Sequence, residues 1–226
     1  DTSSLERGSQ MQTGGMILCG GHSSRMGLPK LALPFGPELM LQRVVRILRE
    51  VVEPIVVVRA ADQDLPPLPS EVIITEDRRA SRGPLEGMRA GLLAARGIVE
   101  SVYATGCDAP LLRPEFVQTM IDLKGEYEIA VPVKGEFHFP LAAVYSIGLT
   151  ETIEKQLDAD QLRPRFLFDL VNTLRVPCDE LEKVDDGLES LQNLNCAADY
   201  FAALARAGFD APPEIHRQMT DCSADD

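Results

Sequence analysis

The feature that most constrains this chain is an apolar run that leads directly into a glycine-rich loop carrying two cations. Residues 16–19 read Met-Ile-Leu-Cys, which is typical of a short buried strand. The loop that follows contains Gly20, Gly21, Arg25, Gly27 and Lys30. Glycines leave backbone N–H groups unobstructed, inward-pointing N–H groups bind anions, and Arg with Lys is the usual cation pair for a polyphosphate. A turn with two solvated cations is the simpler alternative, but the concentration of these residues after one strand favours a phosphate-binding loop.

Two familiar phosphate loops do not fit this stretch. The P-loop requires Gly-Lys followed by Ser or Thr, whereas Lys30 is followed by Leu31. The dinucleotide-binding fingerprint Gly-x-Gly-x-x-Gly does not match the spacing of Gly20, Gly21 and Gly27. Neither of these two classes is therefore predicted.

The length and charge of the chain limit its organisation and its partners. With 226 residues it is long enough for one α/β domain, predicted at 15–208 between a flexible lead-in (1–14) and a loose polar tail (209–226). Its net charge of −13 predicts a surface that repels nucleic acid and anionic membranes, so neither is an expected partner. A polyphosphate ligand then requires locally concentrated cations, and the candidate loops hold Arg25, Lys30, Arg78, Arg79 and Arg82.

The cysteines and the absence of long apolar runs predict a cytoplasmic protein. Five cysteines, odd in number and without a Cys-x-x-Cys pair, argue against a disulfide framework or a zinc site. No apolar run approaches the roughly 20 residues that a membrane span needs, and residues 1–15 carry no apolar signal-peptide core.

Apolar β-branched runs alternate along the chain with segments of helical periodicity. Strands are expected at 16–19, 55–58, 72–75, 102–105, 128–133, 141–146 and 173–177, and helices at 38–52, from Pro84, from Pro114 and at 197–207. This order predicts a three-layer α/β fold, a mostly parallel twisted sheet with helices on both faces. Because ligands of such sheets bind off the C-terminal strand edges, the loops after 16–19 and 102–105 should meet there.

Asp108 is the second candidate site residue, because it follows the predicted strand 102–105 and is expected at the same sheet edge as Lys30. A hard carboxylate oxygen suits Mg²⁺ bound jointly with nucleotide phosphates, since Mg²⁺ needs few protein ligands. The alternative is a cap for the helix beginning near Pro114, but the separation is long for a cap. Metal binding by Asp108 is the favoured interpretation.

The loop has the form Leu-x-Gly-Gly-x-Ser-x-Arg-Met-Gly-x-x-Lys, and two further motifs follow it in order: Gly83-Pro84-Leu85-x-Gly87 and the Cys-Asp-x-Pro-Leu turn around Asp108. Together they resemble nucleotidyltransferases with a nucleoside-diphospho-sugar-transferase-like, Rossmann-like fold, and most of all the molybdenum cofactor guanylyltransferases. The resemblance covers roughly residues 16 to 205.

The resemblance implies roles for individual residues. Arg25, Lys30 and Asp108 would be catalytic, with Asp108 also the Mg²⁺ ligand. The nucleotide would be bound by Leu18, Cys19, Gly20, Gly21, Arg25, Lys30, Asp77, Gly83 and Asp108. Asp77 would accept hydrogen bonds from the N1–H and 2-amino groups of guanine, although pairing with Arg78 or Arg79 is an equal alternative. His138, Asn193 and Asn195 would lie near the acceptor substrate, unless His138 is simply packed and Asn195 caps the last helix.

Three positions depart from the family pattern. The family often has Asp where Pro29 stands, often has Asn after the second core strand, where Arg59-Ala60-Ala61 stands, and usually has Thr where Cys196 stands. The second departure removes one expected guanine ligand, so the identity of the base is less firmly indicated than the type of reaction.

The resemblance implies Mg²⁺-dependent transfer of GMP from GTP to the phosphate of molybdopterin or its molybdenum form, giving the guanine dinucleotide cofactor and pyrophosphate. Transient contact with molybdoenzymes or other cofactor-synthesis proteins would follow. A cytidylyltransferase of the same fold is the nearest alternative, although the Gly-Gly and Gly-Pro-Leu-x-Gly forms favour guanine. A nucleotide-binding regulator without turnover is the alternative from another class.

Overall fold

The computed structural model describes residues 12–20, 29–77 and 82–221. Within those residues the strands are β1 (Thr13–Leu18), β2 (Pro34–Phe35), β3 (Glu38–Leu39), β4 (Ile55–Arg59), β5 (Ile73–Glu76), β6 (Ser101–Gly106), β7 (Ile129–Lys134), β8 (Phe137–His138), β9 (Ala142–Ser146) and β10 (Thr173–Pro177). The α-helices are α1 (Met40–Leu48), α2 (Pro84–Ala95), α3 (Pro114–Lys124), α4 (Thr150–Asp158), α5 (Cys178–Leu181), α6 (Ala197–Arg206) and α7 (Pro213–Asp221). Short 3₁₀ helices span Lys30–Ala32, Ile147–Leu149, Pro164–Asp169 and Asp186–Leu191.

The main sheet has the strand order β10-β7-β9-β6-β1-β4-β5, with β8 paired to β7. Strands β10, β7, β6, β1, β4 and β5 run in one direction, and β9 and β8 run against it. The predicted mostly parallel sheet is confirmed. β2 and β3 form a separate antiparallel hairpin.

The sheet is covered on both faces because its central strands are apolar at successive positions. Ile17 and Val57 pack on one face with α1 and α3, whereas Met16, Leu18 and Val56 pack on the other face with α2 and α4. Successive strand residues point to opposite faces, so a single apolar run supplies both cores. The result is the predicted three-layer arrangement.

Strand β1 begins at Thr13, so the sheet reaches into the segment 1–14 that was predicted to be a flexible lead-in. Gly14 and Gly15 are strand residues here, although glycine is a poor predictor of strands. A Cβ on Gly15 would lie 2.7 Å from Ile55 Cδ1 and 3.2 Å from Leu48 Cδ1. Glycine is therefore required by the close approach of neighbouring side chains.

The helix predicted at 38–52 is shorter, because Glu38 and Leu39 form β3 opposite β2. The side chain of Gln42 accepts a hydrogen bond from the Leu39 backbone N–H, and α1 begins at Met40. The hairpin places β2 beneath the C-terminal part of the chain.

The segment 209–226, predicted to be a loose tail, contains α7, and this prediction is wrong for residues up to 221. Phe209 packs edge-on against Phe35, with ring centroids 6.0 Å apart. Met219 is 2 % exposed and Ile215 packs against the same core cluster as Leu33 and Tyr200. Two apolar residues one helical turn apart are enough to dock this short, otherwise polar helix.

None of the helices in the described part of the chain is long and apolar enough to cross a bilayer.

Substituting Gly36 tests the docking of the C-terminal segment. Gly36 has φ +65, and a Cβ there would lie 2.5–2.7 Å from three atoms of the Phe209 ring. Gly36→Ala should combine left-handed strain of about 1–2 kcal/mol with overpacking of about 1–3 kcal/mol, measured by urea unfolding.

The matched control is Gly97→Ala, because Gly97 has φ +81 but nothing within 4 Å of the added Cβ. It should show the strain alone, and Phe209→Ala should relieve the excess in the Gly36→Ala background. Equal losses for the two glycine substitutions would show that Phe209 does not pack there.

Candidate functional site

The parallel pairing of β1 with β6 brings the two predicted loops to one edge of the sheet. Leu18 lies opposite Gly106 in the register, and the Cys107 backbone N–H donates to the Leu18 carbonyl at 3.1 Å. On the other side, the Cys19 N–H donates to the Val58 carbonyl at 2.9 Å. The chain therefore leaves both strands at the same edge, and Gly20 and Asp108 come directly after these bonds.

Lys30, Asp108 and Asn195 meet at this edge. Lys30 Nζ lies 3.1 Å from Asp108 Oδ2 and 3.3 Å from Asn195 Oδ1. The side chains of Lys30 and Asp108 are 19 % and 18 % exposed, so the ion pair is partly shielded but open to a ligand. Leu31, which is 2 % exposed, anchors the 3₁₀ turn that carries Lys30. The structure thus places a cation from the first loop on a carboxylate from a distant one.

Asn195 reaches Lys30 because its segment is tied to the Asp108 turn. The Leu194 N–H donates to the Asp108 carbonyl at 2.9 Å, and the buried Leu194 side chain holds the segment down. Asn195 Nδ2 donates to the Asn193 carbonyl at 3.4 Å, so Asn193 shapes this loop through its backbone. Asn195 therefore lies beside the Lys30–Asp108 pair, whereas Asn193 is connected to it only through Asn195.

Asp199 is a supporting residue that the sequence analysis missed. Its Oδ2 accepts from the backbone N–H groups of Asn195 at 2.9 Å and Cys196 at 3.1 Å. Its pKa is held below the ordinary value, chiefly by the Asn195 hydrogen bond and also by the nearby positive charge of Lys30. Cys196, not Asn195, is the N-cap of α6. An acidic residue three positions after a cap was the available signal.

Asp77 lies on the other flank of β1, at the end of β5. A Cβ on Gly20 would lie 3.7 Å from Asp77 Oδ2, so this carboxylate borders the first loop. Burial raises the pKa of Asp77 above its ordinary value, and the negative charges of Glu86 and Glu76 add to the shift. The carboxylate is thus placed beside the predicted phosphate loop in a partly buried, acidic environment.

Gly83 is the N-cap of α2. It has φ +72, a conformation that favours glycine, and Pro84 follows at the first helical position. A Cβ on Gly87 would lie 3.4 Å from Leu18 Cδ2, so the first turns of α2 pack directly under the end of β1. The Gly-Pro-Leu-x-Gly motif therefore has a packing role, and its contact with a nucleobase stays a prediction.

Gln63 is a second residue that the sequence analysis missed. Its Nε2 donates to the Cys19 carbonyl at 2.9 Å, and its Oε1 accepts from the Ala60 N–H at 3.2 Å. Arg59, the first residue of the Arg59-Ala60-Ala61 segment, donates to the Gln63 carbonyl at 2.9 Å and pairs with Glu76. This network fixes the end of β1, and no local pattern in the sequence marks it.

His138 lies at the same edge of the sheet but makes other contacts. It pairs with Val133 near the C-terminal end of β7, stacks on Phe168 and accepts a hydrogen bond from Arg175. In the described part of the chain, its ring contacts Arg175, the Glu136 carbonyl and Phe168, and not Lys30, Asp108 or Asn195. The candidate acceptor residues are therefore split between two places along the edge.

Gly21, Arg25, Arg78 and Arg79 lie outside the described residues, so their predicted contacts stay predictions.

The oxygens at this edge suit a hard divalent cation. Asp108 and Asn195 both direct oxygens at the Lys30 ammonium, so two hard donors already converge on positive charge. Among the described residues there is no group of three or more His, Cys, Asp or Glu side chains that could hold an ion by itself. A metal with few protein ligands and several water or phosphate ligands fits this donor set, as Mg²⁺ does.

A family model described as "MobA-like NTP transferase domain" matches residues 15–173. A "Probable molybdenum cofactor guanylyltransferase" of Pelotomaculum thermopropionicum is 32% identical over 197 residues, covering 87% of this chain and 94% of the relative. A relative of the same name in Mycobacterium avium is 33% identical over 202 residues, and the match covers 87% of this chain and 97% of the relative.

The fold is shared with solved nucleotidyltransferase structures. The molybdopterin-guanine dinucleotide biosynthesis protein A of Archaeoglobus fulgidus superposes with a TM-score of 0.68 at 19% identity, covering 95% of this chain and all of its own (100%). The 2-C-methyl-D-erythritol 4-phosphate cytidylyltransferase of Thermus thermophilus superposes with a TM-score of 0.62 at 15% identity, covering 86% and 98% of the two chains. At these identities the likeness concerns the fold.

The thiols below the site differ in predicted reactivity. Cys19 and Cys107 are buried side by side, whereas Cys196 is exposed. The pKa of the Cys19 thiol is raised well above its ordinary value by its hydrogen bond with Cys107, by burial and by the negative charge of Asp108. Because the thiolate is the nucleophile, iodoacetamide at pH 8 should modify Cys196 much faster than Cys19, as measured by peptide mass spectrometry. Equal rates in the folded protein would contradict this arrangement.

Proposed function

Since the chain belongs to the family of MobA-like NTP transferase domains, we propose that it transfers GMP from GTP to the phosphate of molybdopterin or of its molybdenum form. Membership makes it a nucleotidyltransferase, and the names of its relatives connect it with molybdenum cofactor biosynthesis. The observation that carries the proposal is the meeting of Lys30, Asp108 and Asn195 at one sheet edge.

The reaction requires little covalent chemistry from the protein. A phosphate oxygen of the acceptor forms a bond to the α-phosphorus of GTP while the bond to the β-phosphate oxygen breaks, and pyrophosphate leaves with the electron pair. An acceptor phosphate that is already anionic needs no general base. The protein therefore acts by positioning and by stabilising charge, which develops on the leaving group.

Lys30 supplies the local positive charge in the described part of the site. An ammonium is a compact charge that donates hydrogen bonds in several directions, so it follows phosphate oxygens as charge moves from one to another. Its partners Asp108 and Asn195 hold the amine at the end of β6. Strand β6 pairs with β1, and β1 leads to Gly20, where the predicted phosphate loop begins.

Asp108 and Asn195 would hold Mg²⁺ with the nucleotide phosphates, and the bound ion would neutralise and polarise the α-phosphate. The Leu194 N–H donates to the Asp108 carbonyl and so fixes the turn that carries the Asp108 carboxylate.

Asp77 is proposed to select guanine. A carboxylate accepts hydrogen bonds from the N1–H and 2-amino groups, and adenine and cytosine lack this pair of donors. The support is its position beside Gly20, on the flank of β1 away from Asp108.

Lys30→Ala and Asp108→Asn should each lower the rate of pyrophosphate release at least ~100-fold, by comparison with the loss of one oxyanion donor. The assay contains GTP, Mg²⁺ and molybdopterin. Matched controls are Lys183→Ala and Asp122→Asn, which remove a charge of the same sign from exposed positions and should leave the rate unchanged.

Substrate choice is read from the same assay with GTP, CTP, ATP and UTP. Of the four nucleotides, only GTP should support turnover. Turnover with CTP in place of GTP would make the chain a cytidylyltransferase, and nucleotide binding without pyrophosphate release would make it a regulator; either result contradicts the proposal.

The raised pKa of Asp77 predicts a pH-dependent affinity for GTP. Only the ionised carboxylate accepts both hydrogen bonds, so affinity should fall on acidification, starting at a higher pH than an ordinary Asp would give. Asp77→Asn should bind GTP about 10-fold more weakly at neutral pH, since it loses a charge-assisted hydrogen bond.

Calorimetry between pH 5 and 7.5 measures both proteins with the same ligand, so that the titration of the GTP phosphates cancels in the comparison. The affinity of the variant should depend less on pH than that of the wild type. Parallel pH curves would remove Asp77 from the guanine contact.

A further inference from the structure

The ring of His138 is held flat on a buried aromatic residue. His138 and Phe168 are stacked, with centroids 5.1 Å apart and planes inclined by 24°. Phe168 is 1 % exposed, whereas His138 is partly exposed. Phe168 covers one face of the imidazole, so the remaining surface of the ring is what solvent or a ligand reaches.

Both ring nitrogens of His138 have partners. Arg175 Nε donates to His138 Nε2 at 3.3 Å, and His138 Nδ1 lies 3.2 Å from the Glu136 carbonyl oxygen. A guanidinium only donates and a carbonyl only accepts, so a single form satisfies both contacts, the neutral ring with its proton on Nδ1. Proton transfer by this ring would require one of these bonds to break. Its geometry suits contact through the ring face.

Arg175 is itself fixed from the opposite side. Its guanidinium donates to the Phe168 carbonyl at 3.2 Å and pairs with Asp169. Arg175 therefore contacts both members of the stack, the Phe168 carbonyl and the edge of the His138 ring, and so sets the orientation of the stack. Arg175 lies on β10, the strand at the far end of the sheet.

The stack lies on the side of Asp108 that faces away from the proposed guanine contact. Strand β8 pairs with the end of β7, beyond the last β7 residue that pairs with β9. His138 thus lies near the C-terminal end of β7, and Asp108 follows β6, which is separated from β7 by β9. Asp77 lies across β1, after β5. Under the proposed function, a substrate joined to the α-phosphate of the nucleotide would extend away from the guanine contact, which is the direction of β8.

We propose that the exposed face of His138 stacks on the planar heterocycle of the acceptor substrate, and that Arg175 is the positioning residue that holds this face. The inference rests on the proposed function, in which the acceptor is a phosphorylated pterin. A flat, neutral, pre-oriented ring binds a π-system at low entropic cost and tolerates the substrate with or without its metal.

The kinetic test varies molybdopterin at saturating GTP and Mg²⁺ and follows pyrophosphate release. His138→Ala should raise the KM for molybdopterin roughly 5- to 100-fold, the range found when stacked aromatic contacts to bases are removed. The kcat and the KM for GTP should stay unchanged. His138→Phe keeps a ring on Phe168 and should stay within about 3-fold of wild type in KM by the same stacking argument.

Arg175→Gln tests the positioning role. It should raise the KM for molybdopterin in the wild-type background but have little further effect beside His138→Phe, because a phenyl ring makes no hydrogen bond with Arg175. This non-additivity distinguishes positioning of the ring from a general loss of structure.

A binding measurement keeps the inference separate from the proposed function. Quenching of the fluorescence of pterin-6-carboxylic acid should report binding to wild type and to His138→Phe, and loss of binding in His138→Ala, whether or not GTP is consumed. If the wild type turns over and His138→Ala has the same KM for molybdopterin, the inference is overturned and the proposed function stands. If pterin binding depends on His138 but the protein does not turn over GTP, the inference stands and the proposed function is overturned. If the protein neither binds the pterin nor turns over GTP, both are overturned.

Discussion

The site depends on the parallel pairing of β1 with β6. That pairing ends with Leu18 opposite Gly106, so the phosphate loop and the Asp108 turn leave the sheet side by side. The Lys30–Asp108 ion pair, with an N–O distance of 3.1 Å, links residues that are far apart in the chain. Apolar side chains are buried on both faces of β1 and β6. The same burial that stabilises the core therefore also holds Lys30 and Asp108 in position.

The sheet edge divides naturally into two flanks around this pair. On one side, β4 and β5 carry Asp77 next to Gly20, with α2 packed beneath. On the other side, β8 carries His138, which stacks on Phe168 of the 3₁₀ helix Pro164–Asp169 and is held by Arg175 of β10. The proposed reaction joins two substrates through phosphate, and it requires a central charged region with a recognition surface on either side. The strand order provides it, since the switch point lies between β1 and β6.

The proposed transfer between two anions requires local positive charge. The chain carries a net charge of −13, and Asp108 in the site is neutralised by Lys30. A triphosphate meeting a second phosphate requires more positive charge than this pair supplies, which is the physical reason for proposing a divalent cation there. Asn195 and Asp108 contribute oxygens only, the donor type that Mg²⁺ prefers.

The sequence by itself determined the parallel α/β class, the strand that ends in a glycine-rich loop and the turn at Asp108, because these are signalled by neighbouring residues. Only the tertiary structure decided that Asn195 meets Lys30, that Gln63 and Asp199 brace the loops, that Arg175 holds His138, and that α7 docks as a helix. Those contacts join residues that are distant in the chain or depend on a surface that another segment supplies. They follow from the order and register of the strands, which no local pattern of residues encodes.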